Sequence, residues 1–290
     1  MPSSSRVFTV LSIGLVAISL AAIFIRYADA PGVVVAAYRM MIATVILLPL
    51  SVPALRRVQL TRQTLLYSLL AGLCLAIHFA TWISSLSLTS VTASVSIVAS
   101  QPLWVALFSW VFLGLTPSFL VLMSVMLAVV GGSLISFGDF GAGSAPLIGN
   151  GLALIGAVSA AAYYLLGRAV QQTGVSLHAY VGLAYGCAAL VLAPLPLLFR
   201  MSYTNYSLET FLWIALLALI PQLVGHTSVN YALNYLSPTV VATAVLLEPV
   251  GASVFALLLF KEVPSNTVLL GAFILLTGVL LTVQNSRTVE

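Results

Sequence analysis

Ten runs of apolar residues, each long enough to cross a bilayer, follow one another along the chain. They lie at about 7–27, 31–53, 64–86, 89–113, 117–137, 147–168, 176–199, 209–232, 238–260 and 264–284. Short polar or Gly/Pro-containing breaks separate them, and the longest gaps, 54–63, 138–146 and 200–208, hold no soluble domain. A spanning helix needs about 20 mainly apolar residues. Backbone exposed to lipid must satisfy its own hydrogen bonds, so each run reads as a helix. The pattern predicts an all-α integral membrane protein.

The pattern also repeats. Residues 90–134 and 237–281 align without a gap at a constant offset of 147. Identities fall at Ser90/Ser237, Thr92/Thr239, Val98/Val245, Pro102/Pro249, Phe108/Phe255, Pro117/Pro264, Ser118/Ser265, Gly131/Gly278 and Leu134/Leu281. Each copy has five spans, and an odd number places the second copy upside down in the membrane. The expected fold is therefore ten transmembrane helices, arranged as two inverted five-helix repeats around a central cavity. Residues 1–144 form one half and 145–290 the other, joined at Asp139–Pro146 in a single membrane domain. Pro-interrupted apolar segments at matching places in inverted halves point to a transporter with its site near the midplane.

Composition narrows the classes. Apolar residues make up 61% of the chain and charged residues 6%, where a soluble domain carries roughly 25% charged. The net charge of +4 is spread over short loops rather than gathered in a stripe, so no nucleic-acid partner is expected. With the N-terminus in the cytoplasm, Arg6, Arg56, Arg57, Arg62, Arg168 and Arg287 lie inside, and Arg26, Arg200 and Lys261 outside. The excess of inside Lys and Arg favours this orientation. The expectation is a multi-pass cell-membrane protein of the bacterial inner membrane with both termini cytoplasmic. The run from Val7 to Ile25 exceeds a signal-peptide core and reads as a retained helix, although Ala28-Asp29-Ala30 resembles a cleavage site. Cys74 and Cys187 sit in apolar runs without His or Cys neighbours, so no disulfide, metal site or cofactor is expected.

Several strings resemble a known family. Ala37-Tyr-Arg-Met40, Thr89-Ser-Val91 and Gln101-Pro-Leu103 look like the first repeat of the EamA family of the drug/metabolite transporter superfamily. Tyr235-Leu-Ser-Pro-Thr239, Leu247-Glu-Pro-Val250 and Gly271 to Gly278 look like its second repeat. The resemblance covers essentially the whole chain. It implies helices 1–4 and 6–9 around a cavity with 5 and 10 outside them, and export of amino acids, related metabolites, nucleotide sugars or drugs. One departure stands out: the family's Gly-Glu after helix 4 is Gly114-Leu115 here, and only Lys261-Glu262 in the second copy keeps the acid.

Two charges, Arg39 and Glu248, lie well inside the apolar runs. Each costs at least about 2.5–3.5 kcal/mol at the bilayer centre, so both should face the protein interior or a water-filled space. Glu248 precedes Pro249, and a proline frees carbonyls and kinks a helix. That carboxylate could bind a substrate ammonium or a proton, or simply hold a helix crossing. Its counterpart is Gln101, beside Pro102. Arg39 has three readings: a side chain snorkelling to the outer interface, an ion pair with Glu248 closing a gate, or a partner for a substrate carboxylate. His78 and His226 occupy nearly equivalent places and could relay protons. Trp82 lies one turn beyond His78. Tyr163 with Tyr164, and Asn230 with Tyr231, could line a cavity, while Trp110, Trp213, Tyr203 and Tyr206 suit an interfacial belt.

Enzyme classes find little support. Asp29 and Asp139 fall in loops, so an intramembrane aspartyl pair is missing, and no G-x-S-x-G, H-E-x-x-H or nucleotide-binding loop occurs. The reading is a secondary transporter of small amphipathic metabolites, most of all amino acids, aromatic ones included. It would work by alternating access at Glu248, Gln101, His78, Trp82, Tyr163, His226, Asn230, Tyr231 and Arg39, with Pro102 and Pro249 as hinges. A drug or lipophilic-cation exporter, or a membrane enzyme, is the alternative. Partners are then a small-molecule substrate and the bilayer, with proton coupling and a monomer or homodimer left open.

Overall fold

The computed structural model describes residues 3–114, 116, 118–138, 143–245, 247–261 and 263–286. All regular structure among them is helical. Seven helices are long and apolar enough to cross a membrane: α1 Ser5–Tyr27, α2 Gly32–Arg56, α3 Arg62–Ser85, α4 Ala93–Phe112, α6 Pro146–Gln171, α7 Leu177–Leu198 and α8 Leu208–Leu233. Four more helices are α5 Phe119–Gly138, α9 Pro238–Ala244, α10 Leu247–Phe260 and α11 Asn266–Ser286. Parts of the expected joint (139–142), Leu115, Glu262 and Arg287 lie outside the described residues.

The polar breaks between apolar runs are helix caps. Thr61 Oγ1 accepts from the N–H of Thr64 at 3.1 Å, and Ser207 Oγ from that of Thr210 at 3.1 Å. Ser90 does the same for Ala93 at 3.1 Å, and its repeat counterpart Ser237 for Val240 at 3.4 Å. Each serine occupies an orphan donor of the first turn, contributing about 1 kcal/mol. The Ser90/Ser237 identity is thus a duplicated helix start. At the far ends Gly114 (φ 70°) and Lys261 (φ 54°), again 147 apart, both turn the chain left-handed.

Several helices are interrupted. α1 breaks at Leu20, α4 at Ala99–Ser100 and α7 near Pro194. In α8 the stretch Ala218–His226 is π-helical and contains Pro221. The proline's missing N–H suits the i→i+5 pattern, which leaves one residue surplus in the turn. Tyr203, expected in an interfacial belt, donates to the carbonyl of Ala193 at 2.5 Å, where α7 breaks. Tyr38 in turn donates to the Tyr203 carbonyl at 2.8 Å, fastening the loop to α2.

Packing follows a regular scheme. α3 lies on α6 as α8 lies on α1; α4 meets α6 as α10 meets α1; α3 meets α7 as α8 meets α2. α2 pairs with α7, α4 with α10, and α5 with α11. Exchanging first-half helices for their second-half counterparts leaves this scheme unchanged. Small residues permit the closest crossings. A Cβ added to Gly14 would lie 2.6 Å from Cβ of Ser228, and one on Gly225 would lie 2.5 Å from Cγ1 of Ile18.

Candidate functional site

Six of these helices enclose a cavity of about 20 Å³. α3 contributes Leu75, His78 and Trp82; α4 gives Val98 and Gln101; α6 gives Ala160, Tyr163 and Tyr164. Ile18 of α1, His226 of α8, Val245 between α9 and α10, and Glu248 of α10 complete the wall. That volume holds about one water, so a metabolite can enter only when the helices part. Seven of the expected residues are on the wall or bonded to it: Glu248, Gln101, His78, Trp82, Tyr163 and His226 line it, and Asn230 supports it.

Glu248 and Gln101 reach the cavity because their helices restart there. Pro102 stands in the first turn of the second half of α4, directly after Gln101. A first-turn proline has no hydrogen bond to lose, so the sequence expectation of a kinked continuous helix gives way to a break at Ala99–Ser100. Glu248 lies in the first turn of α10, and its N–H bonds the carbonyl of Val245 at 2.9 Å. A carboxylate at a helix start is favoured by the dipole. The side chain of Pro249 lies outside the described residues.

The histidines meet across the cavity. Their ring centroids are 6.4 Å apart. His78 Nδ1 donates to the carbonyl of Gly156 at 2.9 Å, which leaves Nε2 as the acceptor of the neutral ring. Trp82 stacks on His78 at 5.7 Å, and Phe79 meets His226 edge-on at 5.2 Å. Behind them Asn230 Nδ2 donates to the hydroxyls of Tyr163 (2.6 Å) and Tyr185 (3.3 Å) and to the carbonyl of His226 (2.9 Å). Asn230 Nδ2 thus ties two rings and a helix turn together, while its Oδ1 has no protein partner. Gln101 Nε2, Trp82 Nε1 and His226 Nδ1 have no protein partner.

Residues 7–137 and 147–284 each match the EamA-like transporter family. The chain belongs to this family. It is thus a multi-pass membrane protein of a transporter family, which implies a small-molecule substrate. A solved crystal structure described only as "Crystal structure of protein" shares the fold. Its sequence identity is 17%, the TM-score is 0.68, and the match covers 99% of this chain and 100% of that one. Comparison with curated proteins finds no match.

Two expected residues of this EamA-family transporter sit apart from the cavity. Tyr231 packs on Tyr235 at 5.0 Å, away from the wall. Arg39 is 0% exposed and sits behind Phe79, its guanidinium carbon 3.9 Å from the ring centroid. Its Nε donates to Oε1 of Gln222 at 2.8 Å. Its Nη1 and Nη2 have no hydrogen-bond partner, and among the described residues no ion pair joins Arg39 to Glu248. Gln222 and Tyr185 escaped the sequence reading. Pro221, a proline inside an apolar run, was the signal for the former; nothing in the sequence marked the latter.

Proposed function

We propose that this EamA-family transporter is a secondary carrier exporting small amphipathic metabolites, foremost amino acids, aromatic ones included. The observation that carries this reading is the enclosed cavity, walled from both halves by one carboxylate, one primary amide, two imidazoles and several aromatic rings. An ammonium suits Glu248 at its helix start. A hydrophobic or aromatic body suits Trp82, Tyr163 and Tyr164, and the unpartnered atoms of Gln101, Trp82 and His226 would fix its orientation. A sugar nucleotide would want several convergent cations, which this wall lacks among the described residues. Export follows from the resemblance given above.

Mechanistically, halves 1–144 and 145–290 act as inverted five-helix repeats of a ten-helix membrane domain with both termini cytoplasmic. The packing scheme that survives exchange of the halves supports this, as does the odd number of apolar runs per copy. The set α3, α4 and α6 would rock against α8, α10 and α1, opening the cavity to each side in turn. The breaks before Pro102 and Pro249 supply the bending points. Glu248, His78 and His226 provide groups through which protons could be coupled to movement.

The test is counterflow by the purified protein in liposomes, comparing amino acids, a sugar nucleotide and a lipophilic cation, with and without a pH gradient, and with Glu248→Gln alongside. Saturable amino-acid flux, lost in folded Glu248→Gln, is the expected result. Flux of the cation alone would make the protein a drug exporter, which the acid among aromatic rings also suits. No flux of any probe would return the enzyme reading.

A further inference from the structure

Among the described residues, a buried cation with two unpartnered nitrogens lies one ring away from the cavity. Arg39 is fully buried between α2, α3 and α8. Two contacts fix its guanidinium: the Nε bond to Gln222 Oε1 at 2.8 Å, and the face of Phe79 at 3.9 Å. The opposite, end-on edge carries Nη1 and Nη2, and neither has a hydrogen-bond partner. Gln222 adds a third donor without an acceptor, Nε2, because its carbonyl oxygen is committed to Arg39. Buried N–H groups are nearly always paired, and a guanidinium cannot relieve the cost by losing its proton. The neighbouring carboxylate, Glu248, is not paired with it.

From this geometry we infer a buried anion seat: the end-on edge of Arg39 holds one monovalent anion, a carboxylate or a halide. The edge presents parallel N–H groups in the fork that a carboxylate accepts two at a time. One cation balances one negative charge, so a doubly charged phosphate would leave an uncompensated charge in the interior. Position gives the seat a role. Phe79 forms its floor, and the same ring touches His226 on the cavity wall at 5.2 Å. When the cavity opens, a zwitterion with its ammonium on Glu248 has its carboxylate directed toward Arg39. That source of the anion rests on the proposed carrier function; a halide would not.

The experiment follows the thermal unfolding of purified full-length protein at constant ionic strength, replacing sulfate, whose double charge the seat does not balance, by chloride or acetate. A saturable rise in Tm is expected for the wild type. Arg39→Lys keeps the charge but loses the fork, and should weaken the apparent anion affinity about tenfold; Arg39→Met should abolish the rise. If Arg39→Met does not fold, chloride-35 line broadening on the wild type, reversed by acetate, provides the readout. L-Phenylalanine competing with chloride, where phenethylamine does not, assigns the seat to the substrate carboxylate; indifference to both assigns it to a free anion. A wild-type Tm unmoved by every anion overturns the seat, even if amino acids are transported. A full rise retained in Arg39→Met overturns it too. An anion effect without any flux leaves the seat standing and removes the carrier reading.

Discussion

Arg168 of α6 donates to the backbone carbonyl of Leu233 on α8 at 2.6 Å. Arg26 of α1 makes the matching contact, donating to the carbonyl of Thr89 after α3 at 2.9 Å. Helix ends carry carbonyls without partners, and a guanidinium there is favoured by the dipole. Each bond ties one member of the set α3, α4 and α6 to one of the set α8, α10 and α1. In the proposed topology the two bonds lie at opposite faces of the membrane.

Removing either bond should therefore bias the protein toward one face. A cysteine at Val98 on the cavity wall, in a background lacking Cys74 and Cys187, reports this through an impermeant maleimide. Arg168→Ala should raise labelling severalfold from the cytoplasmic side, and Arg26→Ala from the other. Equal labelling of both variants from the same side would refute the assignment.

Asn230 should be the costliest small polar truncation in the site. Replacement by Leu removes the donor that the Tyr163 hydroxyl accepts from at 2.6 Å, and leaves the Tyr185 hydroxyl only Thr227 Oγ1 at 3.4 Å. An unsatisfied buried group costs about 1–3 kcal/mol, so Tm in detergent should fall by several degrees. Tyr163→Phe removes one bond and leaves Asn230 its other acceptors, so its loss should be visibly smaller. The reverse order would show that the network does not hold the wall.

The sequence disclosed the scaffold far better than the site. Apolar runs and capping serines act locally, so the helices and the Ser90/Ser237 starts are written in consecutive residues. The break before Pro102 was legible as an interruption, but its form as a helix restart was not, because the residue preceding a proline can end one helix or bend it. Glu248, Gln101, His78 and His226 stood out because polar side chains are expensive in lipid. Gln222 lies 183 residues from its partner Arg39, and no local periodicity connects them. A π-helical segment leaves the apolar composition untouched, so only Pro221 betrayed it. Tyr231 follows His226 by five residues, which at 3.6 residues per turn turns it about 140° away from the face that His226 presents to the cavity.

The crossing of α1 and α8 should tolerate no methyl group. Gly225→Ala places a Cβ 2.5 Å from Ile18 Cγ1, and Gly14→Ala places one 2.6 Å from Ser228 Cβ. Overpacking of this kind costs about 1–3 kcal/mol. Both variants should unfold at lower temperature, and Ile18→Ala combined with Gly225→Ala should recover part of the loss. A wild-type Tm in Gly225→Ala would mean the helices separate freely.

Lys261 holds a left-handed backbone with φ 54°, where its repeat counterpart is Gly114 at φ 70°. That conformation costs an ordinary residue about 1–2 kcal/mol, partly offset by the greater freedom glycine has when unfolded. Lys261→Gly should raise stability by up to about 1 kcal/mol, read as a small increase in Tm. Gly114→Ala, with nothing near its added Cβ, should lower Tm by a similar amount through backbone strain alone.

The π-helical stretch Ala218–His226 is a dislocation in an otherwise regular rod. Its surplus residue need not stay where it is: passed one turn along, it turns the side chains it crosses while the ends of α8 remain fixed. Gln222 and His226 both ride on that stretch, one beside Arg39 and the other on the cavity wall. The helix is consequently a crankshaft, able to rotate the two positions together without any unwinding that lipid would penalise.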